Sequence, residues 1–228
     1  MSDLAVDLRP MKPPVIFDLD GTLVDSCAIC VEILSDMLAE RGSAHVIDPV
    51  GARPWMSVGG QRMVAALLGP ACGDPETEIA DFRGRYAEKQ TRRETLFPHV
   101  ADGLARLAEA GHRLAICSNK PQNLVDKVLA DTALASLFSS VVGARTGLAT
   151  KPAPDLMLAV LSELGRDAAD CIFVGDSEVD DAAARGMGMP FLFVTYGYAA
   201  EHYTPLPERS YDCFGALTED LVRGRHHA

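Results

Sequence analysis

The stretch Val15-Ile16-Phe17-Asp18-Leu19-Asp20-Gly21-Thr22 sets the reading of the whole chain. Its first three residues are apolar, β-branched or aromatic, without alternation, and they stop at a carboxylate. That is how a strand buried on both faces of a parallel sheet reads. The same signal recurs at residues 114–117, at Val141 and Val142, at 171–174 and at 191–194. Amphipathic helix patterns lie between these runs. Leu104, Leu107 and Ala108 are followed by Gly111; Leu156, Met157, Val160, Leu161 and Leu164 are followed by Gly165. Each obeys the i, i+3, i+4 rule and stops at a glycine suited to the end of a helix. Strand and helix in alternation predict an α/β fold, a doubly wound parallel sheet with right-handed crossovers.

Between the first strand and the second lie roughly ninety residues, far more than the single helix that a crossover needs. The interval has helical patterns of its own: Ile29, Ile33, Leu34, Met37 and Leu38 before Gly42, then stretches near 63–68 and 79–89. The spacing predicts an inserted helical cap over residues 26–93, with the core formed by 1–25 and 94–228. The Pro- and Gly-containing stretch 48–60 reads as a loop within the cap. No internal repeat or low-complexity segment interrupts this plan.

Four polar groups fall at the carboxyl ends of the strands or in the loops after them: Asp18-Leu19-Asp20-Gly21-Thr22, Ser118-Asn119-Lys120, Lys151-Pro152, and Gly175-Asp176-Ser177-Glu178-Val179-Asp180. In open α/β sheets ligands bind in the crevice beyond those ends, so groups distant in sequence converge there. One carboxylate ending a strand is ordinarily a turn former or a helix cap. Four such groups on one edge point to a site.

Taken together, Asp18-x-Asp20-x-Thr22, Ser118, Lys151, and Asp176 with Asp180 resemble the four signature motifs of the haloacid dehalogenase-like superfamily, in order and over nearly the whole chain. The helical insert after the first motif resembles the C1 cap of that superfamily. The resemblance implies a phosphatase in which Asp18 is the nucleophile and Asp20 the general acid and base. It implies Mg²⁺ held by the Asp18 side chain, the Asp20 backbone carbonyl and Asp176. Asp180 would orient a metal-bound water or Lys151, with direct ligation as the alternative. Lys151 supplies a point charge for a phosphoryl group, and Ser118 and Asn119 supply hydrogen bonds to it. A carboxylate pair facing a phosphate repels it unless a hard cation intervenes, and an all-oxygen site suits Mg²⁺.

Within the superfamily, dehalogenases lack the second acid that Asp20 supplies, and phosphonate-cleaving members use a cap lysine. Here Lys89 is the one lysine of the cap and lies far from the motifs. The segments 175–180 and 195–198 resemble the phosphoglycolate phosphatase branch. A sugar-phosphate phosphatase, a nucleotidase or a β-phosphoglucomutase-like mutase would carry the same core motifs, and a non-catalytic binding module could use the same fold. The pattern leaves the substrate and the oligomeric state open. The segment 53–60 resembles the part of the cap that faces the cleft, which makes Arg53 a candidate for a substrate carboxylate and Trp55 a plug between cap and core.

Composition bounds the partners. A net charge of −11 argues against nucleic acid and anionic membranes. No run approaches the ~20 apolar residues of a membrane span, and the N-terminal stretch, which contains acids and lacks a hydrophobic run, does not read as a signal peptide, so a cytoplasmic protein acting on a small phosphorylated metabolite is expected. The six cysteines are scattered and read as reduced thiols. Cys27 and Cys30 read as residues of one helix face, since a redox or zinc role would need a thioredoxin-like context or a second pair. His45 and His99 are isolated, Asp181 reads as a helix N-terminal acid, and His226 and His227 look incidental.

Overall fold

A computed structural model describes residues 12–225; the N-terminal segment before Lys12 and the His226–His227 pair lie outside the described residues. The elements in chain order are β1 (Val15–Phe17), α1 (Cys27–Glu40), α2 (Pro49–Val58), α3 (Gly60–Leu68), α4 (Pro75–Glu88), α5 (Val100–Glu109), β2 (Leu114–Pro121), α6 (Gln122–Asp131), β3 (Phe138–Ala144), α7 (Asp155–Leu164), β4 (Ile172–Gly175), α8 (Glu178–Gly186), β5 (Phe191–Val194), β6 (Ser210–Tyr211) and α9 (Phe214–Arg223). The strands form one sheet in the order β3-β2-β1-β4-β5-β6, and each neighbouring pair is parallel.

The unalternating strands follow from helices on both faces. Val15 and Phe17 enter one apolar cluster with Leu104, Leu107, Phe214 and Leu217 of α5 and α9. Ile16 enters the other with Leu156, Met157 and Val160 of α7. Leu114 and Ile116 join the first cluster and Ala115 and Cys117 the second, so neither face is free for polar residues. β1 pairs with β2 on one side and β4 on the other, with Phe17 opposite both Ile116 and Val174. The chain reverses its direction across the sheet at β1. Such a switch point opens a crevice beyond the strand ends, and Asp18 sits at its mouth.

The interval after β1 holds α1 to α4, which pack on one another. The chain leaves the sheet region and returns to it at one place: Val24 pairs with Leu96 in an antiparallel bridge, and the Asp25 N–H donates to the Thr95 carbonyl at 2.8 Å. α1 buries Ile29, Ile33, Leu34, Met37 and Leu38, the stripe its periodicity predicts. Cys27 and Cys30 are buried free thiols on the same helix. Burial pushes them up to about 11 and about 12, so both stay protonated and inert.

Two expectations are corrected here. The stretch 48–60 is not a loop: α2 occupies Pro49–Val58. The Asp48 side chain accepts from the Val50 and Gly51 N–H groups and Pro49 stands in the first turn, so these residues start a helix rather than break one. Pro54 stands inside it and forfeits one backbone bond. Trp55, in turn, is 40% exposed and plugs nothing. The short strand β6 carries no apolar run and was not foreseen.

Phe17 and Phe214 are fully buried with ring centroids 5.9 Å apart. Phe214→Ala leaves a cavity under β1 and is expected to cost about 3–5 kcal/mol. A urea titration should show a lower midpoint with an unchanged slope.

Candidate active site

β1, β2 and β4 end side by side, and the loops leaving them carry the site. Asp18 follows β1 directly, its N–H bonded to the Val174 carbonyl of β4 at 2.9 Å. Ser118 is buried near the end of β2, Lys151 stands in the loop after β3, and Asp176 follows β4. All line one cleft of about 330 Å³, together with Asp20, Asn119 and Asp180. The sheet edge therefore gathers every residue nominated from the core motifs.

Lys151 is the electrostatic centre. Its Nζ lies 2.9 Å from Asp18 Oδ1 and 2.7 Å from Asp180 Oδ1. Burial opposes its charge, yet the carboxylates of Asp18 and Asp180 outweigh that and hold the ammonium above the usual lysine range. The other oxygen of Asp180 accepts from the Ser177 hydroxyl at 2.6 Å, closing a capping box at the start of α8. Both Asp180 oxygens are thus engaged. Asp181 lies in the first turn of α8 and pairs with Arg185, as befits an acid at a helix N-terminus.

Asp176 is 2% exposed and held from two sides: the Thr22 hydroxyl donates to Oδ1 at 2.9 Å and the Tyr198 N–H to Oδ2 at 2.8 Å. Burial, then the like charges of Asp180 and Asp18, push it well above the usual carboxylate range, against these two hydrogen bonds. Asp18 is pushed up to about 6 by burial, with Lys151 opposing. One oxygen from each of Asp18, Asp176 and Asp180 falls within 4.8 Å of the others. Oxygens gathered so closely, at carboxyls that resist ionising, fit a hard divalent cation, which would remove the repulsion.

Glycine makes the close approach possible. A Cβ on Gly21, whose φ is +89°, would lie 2.2 Å from Asp176 Oδ2, and one on Gly197 would lie 2.3 Å from Asp176 Cβ. The first motif and the loop after β5 thus close on Asp176 backbone-first.

Sequence reading gave Lys120, Thr22, Ser177 and Tyr198 no individual role, and the structure gives each one. Lys120 Nζ contacts both Asp20 oxygens, at 3.1 and 3.2 Å, and lies 4.1 Å from the ring centroid of Tyr86 on α4. Burial opposes its charge too, and Asp20, Tyr86 and Cys30 hold it above the usual lysine range. The signal was legible, since Lys120 stands two residues beyond Ser118 and strand periodicity puts both on one side.

Asn119 lines the cleft and also holds the Lys151 loop: its side chain donates to the Lys151 carbonyl at 3.0 Å and accepts from the Lys151 N–H at 2.7 Å. Other nominations fall elsewhere. Arg53 is absent from the cleft lining: it pairs with Asp25 at 3.1 Å, donates to the Tyr196 carbonyl, and lies over the Tyr198 ring. His45 bonds the Leu67 carbonyl through Nε2, and His99 precedes α5 in a left-handed conformation without capping it through its side chain; neither lines the cleft.

The comparisons with known proteins agree with this geometry. The family model for haloacid dehalogenase-like hydrolases matches residues 15–194, and the chain belongs to that family. It is 35% identical over 214 residues to the phosphoglycolate phosphatase of Rhodobacter capsulatus, covering 91% of this chain and 95% of the relative. It is 38% identical over 190 residues to the plasmid-encoded phosphoglycolate phosphatase of Cupriavidus necator, covering 81% of each. Among solved structures, a Haemophilus somnus protein described as a predicted phosphoglycolate phosphatase shares the fold at a TM-score of 0.76, with 24% identity over 91% of this chain and 97% of that one. Within the family, the chain is of the phosphoglycolate phosphatase-like branch.

Gly21→Ala is expected to lower stability by about 1–3 kcal/mol from backbone strain alone, and to lower divalent-cation affinity by displacing Asp176. Thermal melts and a cation titration read the two effects. A carboxyl whose folded pKa exceeds its unfolded value contributes stability below the unfolded value and loses it as pH rises through the folded one. For Asp18 that window runs from 3.8 to about 6. The rise in Tm on adding Mg²⁺ should therefore be larger at pH 7.5 than at pH 5, and equal rises at both would place the cation elsewhere.

Proposed function

We propose that this chain is a Mg²⁺-dependent phosphatase of small phosphomonoesters, with 2-phosphoglycolate as its leading substrate, acting in the cytoplasm. The observation that carries the reading is the placement of Asp18 against Lys151, within reach of two further carboxylates, at the floor of a cleft sized for a small metabolite. The phosphoglycolate phosphatases among its relatives supply the substrate. No helix among the described residues is long and apolar enough to cross a membrane.

Asp18 attacks phosphorus in line and forms an aspartyl phosphate as the bond to the ester oxygen breaks. Asp20, two residues beyond Asp18 and held by Lys120, gives its proton to the departing alkoxide and then takes one from the water that attacks the intermediate. That second displacement releases inorganic phosphate and restores Asp18. Lys151 and Ser118 hold the phosphoryl oxygens, and Asn119 fixes the Lys151 backbone. Asp18, the Asp20 carbonyl and Asp176 would hold Mg²⁺, which when bound neutralises charge shared between carboxylates and phosphate. Asp180 acts on Lys151, since one of its oxygens meets the ammonium and the other the Ser177 hydroxyl.

The segment 26–93 acts as a cap over this floor, with 1–25 and 94–228 as the core. The paired crossings at Val24 and Leu96 support it, because rotation about one adjacent pair of strands moves α1 to α4 together.

Asp18→Asn is expected to reduce phosphate release by about three orders of magnitude or more with an unchanged circular dichroism spectrum. Excess chelator should likewise stop the wild-type enzyme and added Mg²⁺ restore it. Undiminished release from a clean Asp18→Asn preparation would sink the mechanism.

A further inference from the structure

The cap wall of the cleft carries a cation that the chemistry above does not use. On α4, Ile79, Phe82, Arg83 and Tyr86 all line the cleft, the i, i+3, i+4, i+7 stripe of one helix face. Ile79, Phe82 and Tyr86 are buried, whereas Arg83 is exposed. Met56, Val58 and Met63 of the same insert add apolar side chains to this wall. Three basic residues line the cleft: Lys151, neutralised by Asp18 and Asp180; Lys120, neutralised by Asp20; and Arg83. Arg83 has no hydrogen-bond or ion-pair partner among the described residues, while its neighbour Arg85 is tied to Glu40 and Asp81.

We propose that Arg83 is the specificity-determining residue that reads a carboxylate at the far end of the phosphomonoester. This rests on the phosphatase reading above and adds to it the residue that selects the substrate. A guanidinium presents a fork that matches a carboxylate in two parallel hydrogen bonds. The charge fits as well. One free cation balances the single charge of a carboxylate, whereas a second phosphoryl group carries nearly two at neutral pH. α3 begins at Gly60, with no side-chain cap, in the same wall, and its N-terminal N–H groups add a weak field of the same sign. Arg53, the cap arginine that the sequence nominated, is already spent on Asp25.

The test is steady-state kinetics of full-length wild type, Arg83→Met and Arg83→Lys with Mg²⁺ on three esters: 2-phosphoglycolate, ethyl phosphate, which lacks the carboxylate, and fructose 1,6-bisphosphate. The readout is each variant's kcat/KM on 2-phosphoglycolate divided by its kcat/KM on ethyl phosphate. Arg83→Met should lower this ratio by about ten- to a hundred-fold, chiefly through KM for the acid, and Arg83→Lys should retain part of it. A ratio unmoved by Arg83→Met overturns the assignment, because a purely structural role would depress both esters alike. A larger effect on the bisphosphate than on 2-phosphoglycolate also overturns it, in favour of a second phosphoryl group. Wild type that releases phosphate from none of the three would instead fail the phosphatase reading itself, and this inference with it.

Discussion

The site depends on one buried cation. Lys151 is 5% exposed and stands between Asp18 and Asp180, with Asp176 close behind. Removing a charge from water costs several kcal/mol per ion even after relaxation. Three acids and one lysine therefore leave an excess of negative charge that the protein alone does not balance. Burial first, and the like charges after it, push Asp18 and Asp176 above the ordinary carboxylate range. A site in that condition favours a divalent cation, whose charge relieves the repulsion that a phosphate would otherwise meet.

The fold meets this constraint with rigid parts. β1 is three residues long, yet it is bonded on both sides, so Asp18 leaves the sheet from a fixed point. Asp180 belongs to α8, whose first turn is locked by Ser177, and Lys151 hangs from a loop that Asn119 grips at both its N–H and its carbonyl. Preorganisation of this kind matters because phosphoryl transfer asks for little beyond positioning and charge.

The helical insert handles a different problem. It is tied to the floor by Tyr198, whose hydroxyl donates to Asp25 at 2.7 Å and accepts from the Cys27 N–H at 3.1 Å, and by the Lys120–Tyr86 contact. Between these ties it offers an apolar wall with Arg83 in it. In the proposed reading, chemistry falls to the sheet edge and choice of substrate to α4, a division that lets one change without the other.

The sequence determined five of the six strands, their parallel sense and the convergence of Asp18, Asp20, Ser118, Lys151, Asp176 and Asp180 on one cleft, because each is written locally. A strand buried on both faces must be uniformly apolar, and a residue at its carboxyl end has only one crevice to enter. The start of α2 was legible too, in Asp48 and Pro49, but Pro54 and the nearby glycines masked it. What the tertiary structure decided were the pairings over long separations: Lys120 with Asp20, Asn119 with the Lys151 backbone, Tyr198 with Asp176, and Arg53 with Asp25. Periodicity puts Lys120 on the side of Ser118, but it announces none of these partners. Arg53 and Arg83 are equally charged in the sequence, and what separates them is which one finds a carboxylate of its own chain within reach.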